Sequence, residues 1–286
     1  MSEVVVPKTQ TPNRARKLPG GVKRDYQGKE KMADNKPVKD IPRNAYTSMF
    51  EGFRNELDEH HDRRNKIGKV SRDVTALSKK IIFSLQRVRH LNQPLPARVK
   101  SEIDDKMKEI AGHLATIEED VTGMNRYRYP LICLEEFVEA ISFSHYLQHQ
   151  KLITPEQAQE ALPAKIDLTP ADYVFGIFDL TGEMMRFATA VTALMGSMPG
   201  SSGKEGGDRT ILNDMQDVSS MLQICPPLGG KPGTHAKKLS IMDEQVRKVE
   251  RVGYGITVRG NERPKGWMPD MSGESPWGGE EDVAMG

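Results

Sequence analysis

Several carboxylates in this chain stand where carboxylates are expensive to keep. Residues 173–186, YVFGIFDLTGEMMR, form a helix-length apolar run whose acids are Asp179 and Glu183. Four residues apart, the two lie one above the other on one face of a helix. Residues 131–147, LICLEEFVEAISFSHYL, repeat the pattern, apolar apart from Glu135, Glu136, Glu139 and a few neutral polar residues. Glu136 and Glu139 are i,i+3 neighbours with Phe137, Val138, Ala140 and Ile141 around them. A buried carboxylate without a partner costs several kcal/mol or takes up a proton, so acids in such surroundings need a reason. A bound cation is one. If the two helices pack face to face, four oxygen donors meet in a dry groove. That donor set suits Mg²⁺ or Mn²⁺, with open positions left to water and a substrate phosphate. The competing reading gives each acid a surface or helix-dipole role.

Other constellations carry less. His145 and His149 are an i,i+4 pair that could make half a zinc site, but no acid completes an HExxH arrangement and no Cys is near in sequence. A core or surface histidine pair is the plainer reading. A di-iron carboxylate bundle needs Glu-x-x-His on two helices, and Glu136, Glu139 and Glu183 have no His three residues on. The stretch GSSGK at 200–204 fails as a phosphate loop: Met198 stands where Gly is needed, Glu205 follows the Lys, and no strand pattern precedes it.

The elements that must position these acids read as helices throughout. From residue 45 to 91 the apolar positions Phe50, Phe53, Leu57, Ile67, Val70, Val74, Leu77, Ile81, Leu85 and Val88 recur at steps of three and four, predicting one very long amphipathic helix with Pro94 and Pro96 beyond it. Its polar face carries Arg64, Lys66, Lys69 and Arg72, either a solvated face or one that contacts phosphates. A second helix is predicted over 97–121, followed by the acid-bearing segment to residue 150. Thr154-Pro155 with Gln157 and Thr169-Pro170 with Asp172 are helix starts, the latter opening the Asp179/Glu183 helix, which is predicted to reach residue 193. Residues 196–209 are rich in Gly and Ser and read as a flexible loop. Helices over 212–224 and 235–258 complete the set. With no useful β-alternation, the expected fold is all-α: one helical bundle of six or seven helices with a very long N-terminal helix. A helix of that length is too long for a single chain of this size to cover, so self-association or a partner is expected.

Composition bounds the rest. The chain has 286 residues, 37% hydrophobic and 28% charged, the polarity of a soluble protein. Its formal net charge of +1 hides a basic stretch over 1–43 and an acidic one over 263–286, both without periodicity and predicted to be disordered tails around a domain at 44–262. Arg14, Arg16, Lys17, Lys23 and Arg24 resemble a two-part nuclear import signal, the alternative being a solvated tail. Two distant cysteines suggest neither a disulfide framework nor a zinc site, and no apolar run is of membrane-spanning length. Cytoplasmic and nuclear localisation is the expectation.

Four stretches, in order, carry a resemblance: KVSRDVT at 69–75 with Ile82-Phe83, EFVEAISFSH at 136–145, DLTGEMMR at 179–186, and the closing KVE at 248–250 with VRG at 258–260. Together they resemble the translin family, and within it the translin-associated protein X branch, over residues 45–262. The resemblance implies an all-α subunit that assembles with translin into a hollow hetero-octamer, an endoribonuclease acting on single-stranded RNA, with single-stranded DNA as a second ligand. It implies that the metal-binding acids fall on Glu136, Glu139 and Asp179, with Glu183 a further acid of the cluster. Glu135 reads as solvated. The family's RNA-contacting surface corresponds by region to Arg64, Lys66, Lys69 and Arg72. Removal of a nicked passenger strand in RNA silencing and trimming of transfer-RNA precursor fragments are the roles implied. On this reading the acids hold one or two Mg²⁺ ions for phosphodiester hydrolysis. A non-catalytic RNA- or DNA-binding subunit that holds translin in place is the alternative. The segment at 154–162 and the loop at 196–209 depart from the family's animal members.

Overall fold

The computed structural model describes residues 44–203, 207–228 and 232–259. The basic and acidic tails, with the import-signal residues, lie outside the described residues. The chain divides into two units, one ending at Asp62 and one beginning at Arg63. Helix α1 (Thr47–Leu85) crosses that division.

In the first unit, Asn44 and Thr47 start α1 by exchanging hydrogen bonds: the Asn44 amide donates to Thr47 Oγ1 at 2.8 Å, and Thr47 Oγ1 donates to Asn44 Oδ1 at 3.2 Å, which also accepts from the Tyr46 amide at 2.9 Å. The apolar positions here are not buried. Phe50, Phe53 and Leu57 are 63%, 51% and 67% exposed, so among the described residues of this unit the stripe predicted to face a core has none.

The second unit contains the core. It holds the rest of α1, α2 (Ala97–Ala115), a 3₁₀ turn (Glu119–Val121), α3 (Asn125–Arg128), α4 (Cys133–His149), α5 (Pro155–Ala161), α6 (Pro170–Met195), α7 (Ile211–Gln223) and α8 (Thr234–Arg259). Helix α4 packs on α6, and α6 also carries α7 and α8. Phe137, Phe143, Leu134 and Leu147 of α4 are fully buried, with Leu180 and Met184 of α6 and Val74, Ile81 and Leu85 of α1. Each such side chain contributes about 1.5–3 kcal/mol of burial. The α4–α6 approach depends on Gly176, where a Cβ would meet Val138 Cγ1 at 2.6 Å and the Glu135 carbonyl oxygen at 2.8 Å. Only a residue without a side chain lets the acid-bearing helices lie this close.

The two predicted starts are formed as capping boxes. The Gln157 amide donates to Thr154 Oγ1 at 3.2 Å while Gln157 Oε1 accepts from the Thr154 amide at 3.0 Å. Thr169 and Asp172 do the same for α6, at 3.2 and 2.9 Å. The fold is all-α as expected, with three differences in the elements. Helix α1 ends at Leu85 instead of residue 91, because Arg89 donates to the Gln86 and Val88 carbonyls at 2.6 and 3.1 Å and so satisfies groups a further turn would have used. The predicted helix over 97–121 breaks after Ala115, where Thr116 Oγ1 donates back to the His113 carbonyl at 2.7 Å and competes with the helical pattern. The stretch 196–209, read as a flexible loop, carries most of a two-stranded antiparallel hairpin, β1 (Gly200–Gly203) and β2 (Gly207–Thr210), with Gly200 opposite Thr210. A Cβ at Gly200 would lie 2.4 Å from the Arg209 carbonyl oxygen, so the pairing uses the glycine that had suggested flexibility. Among the described residues, no helix is long and apolar enough to cross a membrane.

Candidate functional site

The middle of α6 and the first half of α4 bring the predicted acids into one electrostatic neighbourhood. Glu139 is 7% exposed. Its carboxyl pKa is pushed up to about 8, first by burial and then by the charges of Asp179, Glu183 and Glu136, with Arg186 opposing them. No hydrogen bond or ion pair among the described residues reaches this carboxylate.

The other acids are held by named partners. Glu183, 3% exposed, accepts from Gln86 Nε2 just past the end of α1 and from Arg186 one turn along α6. Glu136 faces Lys79 Nζ of α1 at 3.2 Å. Asp179 is more open, its side chain 37% exposed, and Lys238 Nζ of α8 donates to both its oxygens at 2.7 Å. Glu135 is not simply solvated. It is mostly buried, its pKa is raised first by burial, and Lys238 lies 3.7 Å away. Glu135, read as solvated, instead faces Lys238 of α8, a helix that packs on α6. Sequence reasoning missed Lys238, Gln86 and Lys79; each lies far in sequence from the acid it holds, and no local spacing signals the pairing.

A divalent cation fits this donor set by its chemistry: four carboxylates, one of them without a donor among the described residues and with its pKa raised by burial first and by the other three acids second. With the side chains turned to their basic partners, no three His, Cys, Asp or Glu side chains among the described residues converge closely enough to hold a metal ion.

On the basic face of α1, Arg64, Lys69 and Arg72 are exposed and have no ion pair among the described residues. Lys66 differs, since its Nζ lies 2.6 Å from Asp120, which Arg63 also reaches at 3.3 Å. His145 and His149 lie with ring centroids 4.6 Å apart and ring planes tilted by 51°, beside an open cavity shared with Asn92, Lys151 and Gln157. Burial, with a smaller push from His149, lowers the pKa of His145.

The family model described as the Translin family matches residues 62–260 of the chain. The chain belongs to the translin family. All the acids of the site and the exposed cations of α1 fall inside the matched stretch. The family chain is 28% identical to Translin-associated protein X of Mus musculus over 250 residues, 78% of this chain and 82% of that protein. It is 27% identical to the Translin-associated protein X homolog of Schizosaccharomyces pombe over 219 residues, covering 73% and 87%. Among solved structures, it is similar to one described as "Crystal structure of AfC3PO", with a TM-score of 0.52, 20% identity, and coverage of 73% of this chain and 97% of that one. That last likeness establishes a shared translin-type helical fold.

Proposed function

We propose that this translin-family chain is the catalytic subunit of a hetero-oligomer with a translin-type partner, a Mg²⁺-dependent endoribonuclease that cuts single-stranded RNA. The observation that carries the reading is Glu139: a buried carboxylate with no donor, in the field of Glu136, Asp179 and Glu183. A fold does not keep four mutually repelling acids for stability, and replacing such groups by apolar ones is commonly neutral or stabilising. The Translin-associated protein X relatives and the four sequence stretches support the family role.

In this reading Glu136, Glu139 and Asp179 are the ligands of the ion, with Glu183 beside them. A bound divalent cation supplies a water of lowered pKa and stabilises charge on the scissile phosphate. Glu139 would hold the ion as a carboxylate. Gln86 and Arg186 fix Glu183, and Lys79 steadies Glu136. Arg64, Lys69 and Arg72 attract the RNA backbone. The exposed stripe of Phe50, Phe53 and Leu57 is surface for the partner subunit to cover. Cytoplasmic and nuclear residence belongs to the same proposal.

The test is cleavage of a labelled single-stranded RNA by the chain co-expressed with a translin-type subunit, in Mg²⁺ and in EDTA, beside Glu139→Ala and Asp179→Ala. Metal-dependent cutting lost in both variants, with assembly intact, is the expected result. Cutting that persists in them places catalysis on the partner, and tight RNA binding without cutting makes the chain a scaffold.

A further inference from the structure

Lys238 occupies a position that the acid cluster by itself does not explain. Its Nζ lies 2.7 Å from each Asp179 oxygen, 3.7 Å from Glu135 Oε2 and 3.4 Å from the Phe175 carbonyl oxygen. The ammonium also stands 5.4 Å from the centroid of the Phe175 ring, and the side chain is only 18% exposed. A lysine head is a compact point charge with three donors, and here it is directed at acids from two different helices. It takes both oxygens of Asp179, the atoms that any bound cation would have to share.

We propose that Lys238 is a positioning residue of the acid cluster: a built-in counter-cation that holds Asp179 in the metal-free chain and that a divalent cation must displace. The inference rests on the metal reading given under Proposed function. Two consequences follow from charge. The chain's own affinity for the ion is held down, because the ion has to break the Lys238 contact and settle beside a positive charge. A phosphate oxygen offsets both effects, since it shares the ion and offers the released ammonium an acceptor. The ion is then held firmly only with RNA in place, which suits Mg²⁺, an ion that proteins commonly hold through one or two carboxylates together with substrate phosphates.

The experiment measures Mn²⁺ binding, by electron paramagnetic resonance titration, to the full-length chain co-expressed with a translin-type subunit. The signal lost in Asp179→Ala defines the site. Lys238→Met is expected to tighten that binding about tenfold or more, the effect of removing one adjacent positive charge, while Lys238→Arg stays within about twofold of the wild type. A second measurement needs no variant: Mn²⁺ is expected to raise the reactivity of Lys238 toward an amine-acylating reagent, read by mass spectrometry, because the ammonium is released. Unchanged or weakened binding in Lys238→Met, or acylation that Mn²⁺ does not move, overturns the role of Lys238 and leaves the metal reading standing. Absence of any Asp179-dependent Mn²⁺ signal in all the proteins overturns both.

Discussion

Glu139 of α4 and Glu183 of α6 are buried to almost the same degree, 7% and 3% exposed, yet Gln86 and Arg186 donate to Glu183 while no donor among the described residues reaches Glu139. The two acids repel one another, and the repulsion falls on the member without a partner. That asymmetry links the protonation of Glu139 to folding.

The sign of the linkage is fixed by the direction of the shift. Folding raises the Glu139 pKa from the ordinary 4.5 to about 8, so between those values the folded chain holds a proton that the unfolded chain has lost. Stability therefore falls as pH rises through that window. In the absence of divalent cations, Glu139→Gln is expected to be more stable than wild type at pH 8.5, by on the order of 2 kcal/mol, and to lose most of that advantage near pH 5. Urea midpoints of both proteins at the two pH values check this; parallel pH profiles would refute it.

Gly176 sets the spacing of the acid-bearing helices. Gly176→Ala forces a methyl group against Val138 and the Glu135 carbonyl and is expected to destabilise the chain by about 1–3 kcal/mol, with loss of RNA cleavage beyond what the stability change explains. Gly112→Ala in α2, where nothing lies within 4 Å, is the control. It should stabilise by about 0.5–1 kcal/mol, as expected for helical Gly replaced by Ala. Thermal melts of the two variants should move in opposite directions.

Arg126 is 4% exposed and joins α3 to the start of α6, donating to Asp172 and, at 2.9 Å, to the Asp167 carbonyl. Asp172 is also the capping partner of Thr169. Arg126→Met leaves a buried carboxylate without its counter-charge and is expected to cost about 3–5 kcal/mol. Denaturant unfolding measures it, and a loss below about 1 kcal/mol would mean that the pair is solvated in solution.

On α1, Arg64, Lys69 and Arg72 are free to meet a phosphate backbone, whereas Lys66 is engaged by Asp120. Replacing each of the first three by Ala should lower single-stranded RNA affinity and reduce the slope of log K against log salt by about 0.7 per residue. Lys66→Ala should do less of both. Fluorescence anisotropy at several salt concentrations separates the cases, and equal effects from all four would show that Asp120 does not hold Lys66 away from RNA.

Features of this protein that depend on neighbours in sequence were determined by the sequence alone. The Thr154 and Thr169 capping boxes, the apolar spacing of α4, α6 and the buried half of α1, and the placing of acids in apolar helices all follow from contacts three or four residues apart. The partners of those acids were decided by tertiary structure. Gln86 meets Glu183 across 97 residues and Lys238 meets Asp179 across 59, because Gly176 lets α4 close on α6 and α8 packs on α6. The end of α1 at Leu85 and the hairpin after α6 were likewise decided by hydrogen bonds that a helical period does not encode. A side chain's distance along the chain says little about which charge it will face, since that depends on how packed helices are rotated and how closely they approach. For this reason the acids could be read from the sequence, and the lysine that holds one of them could not.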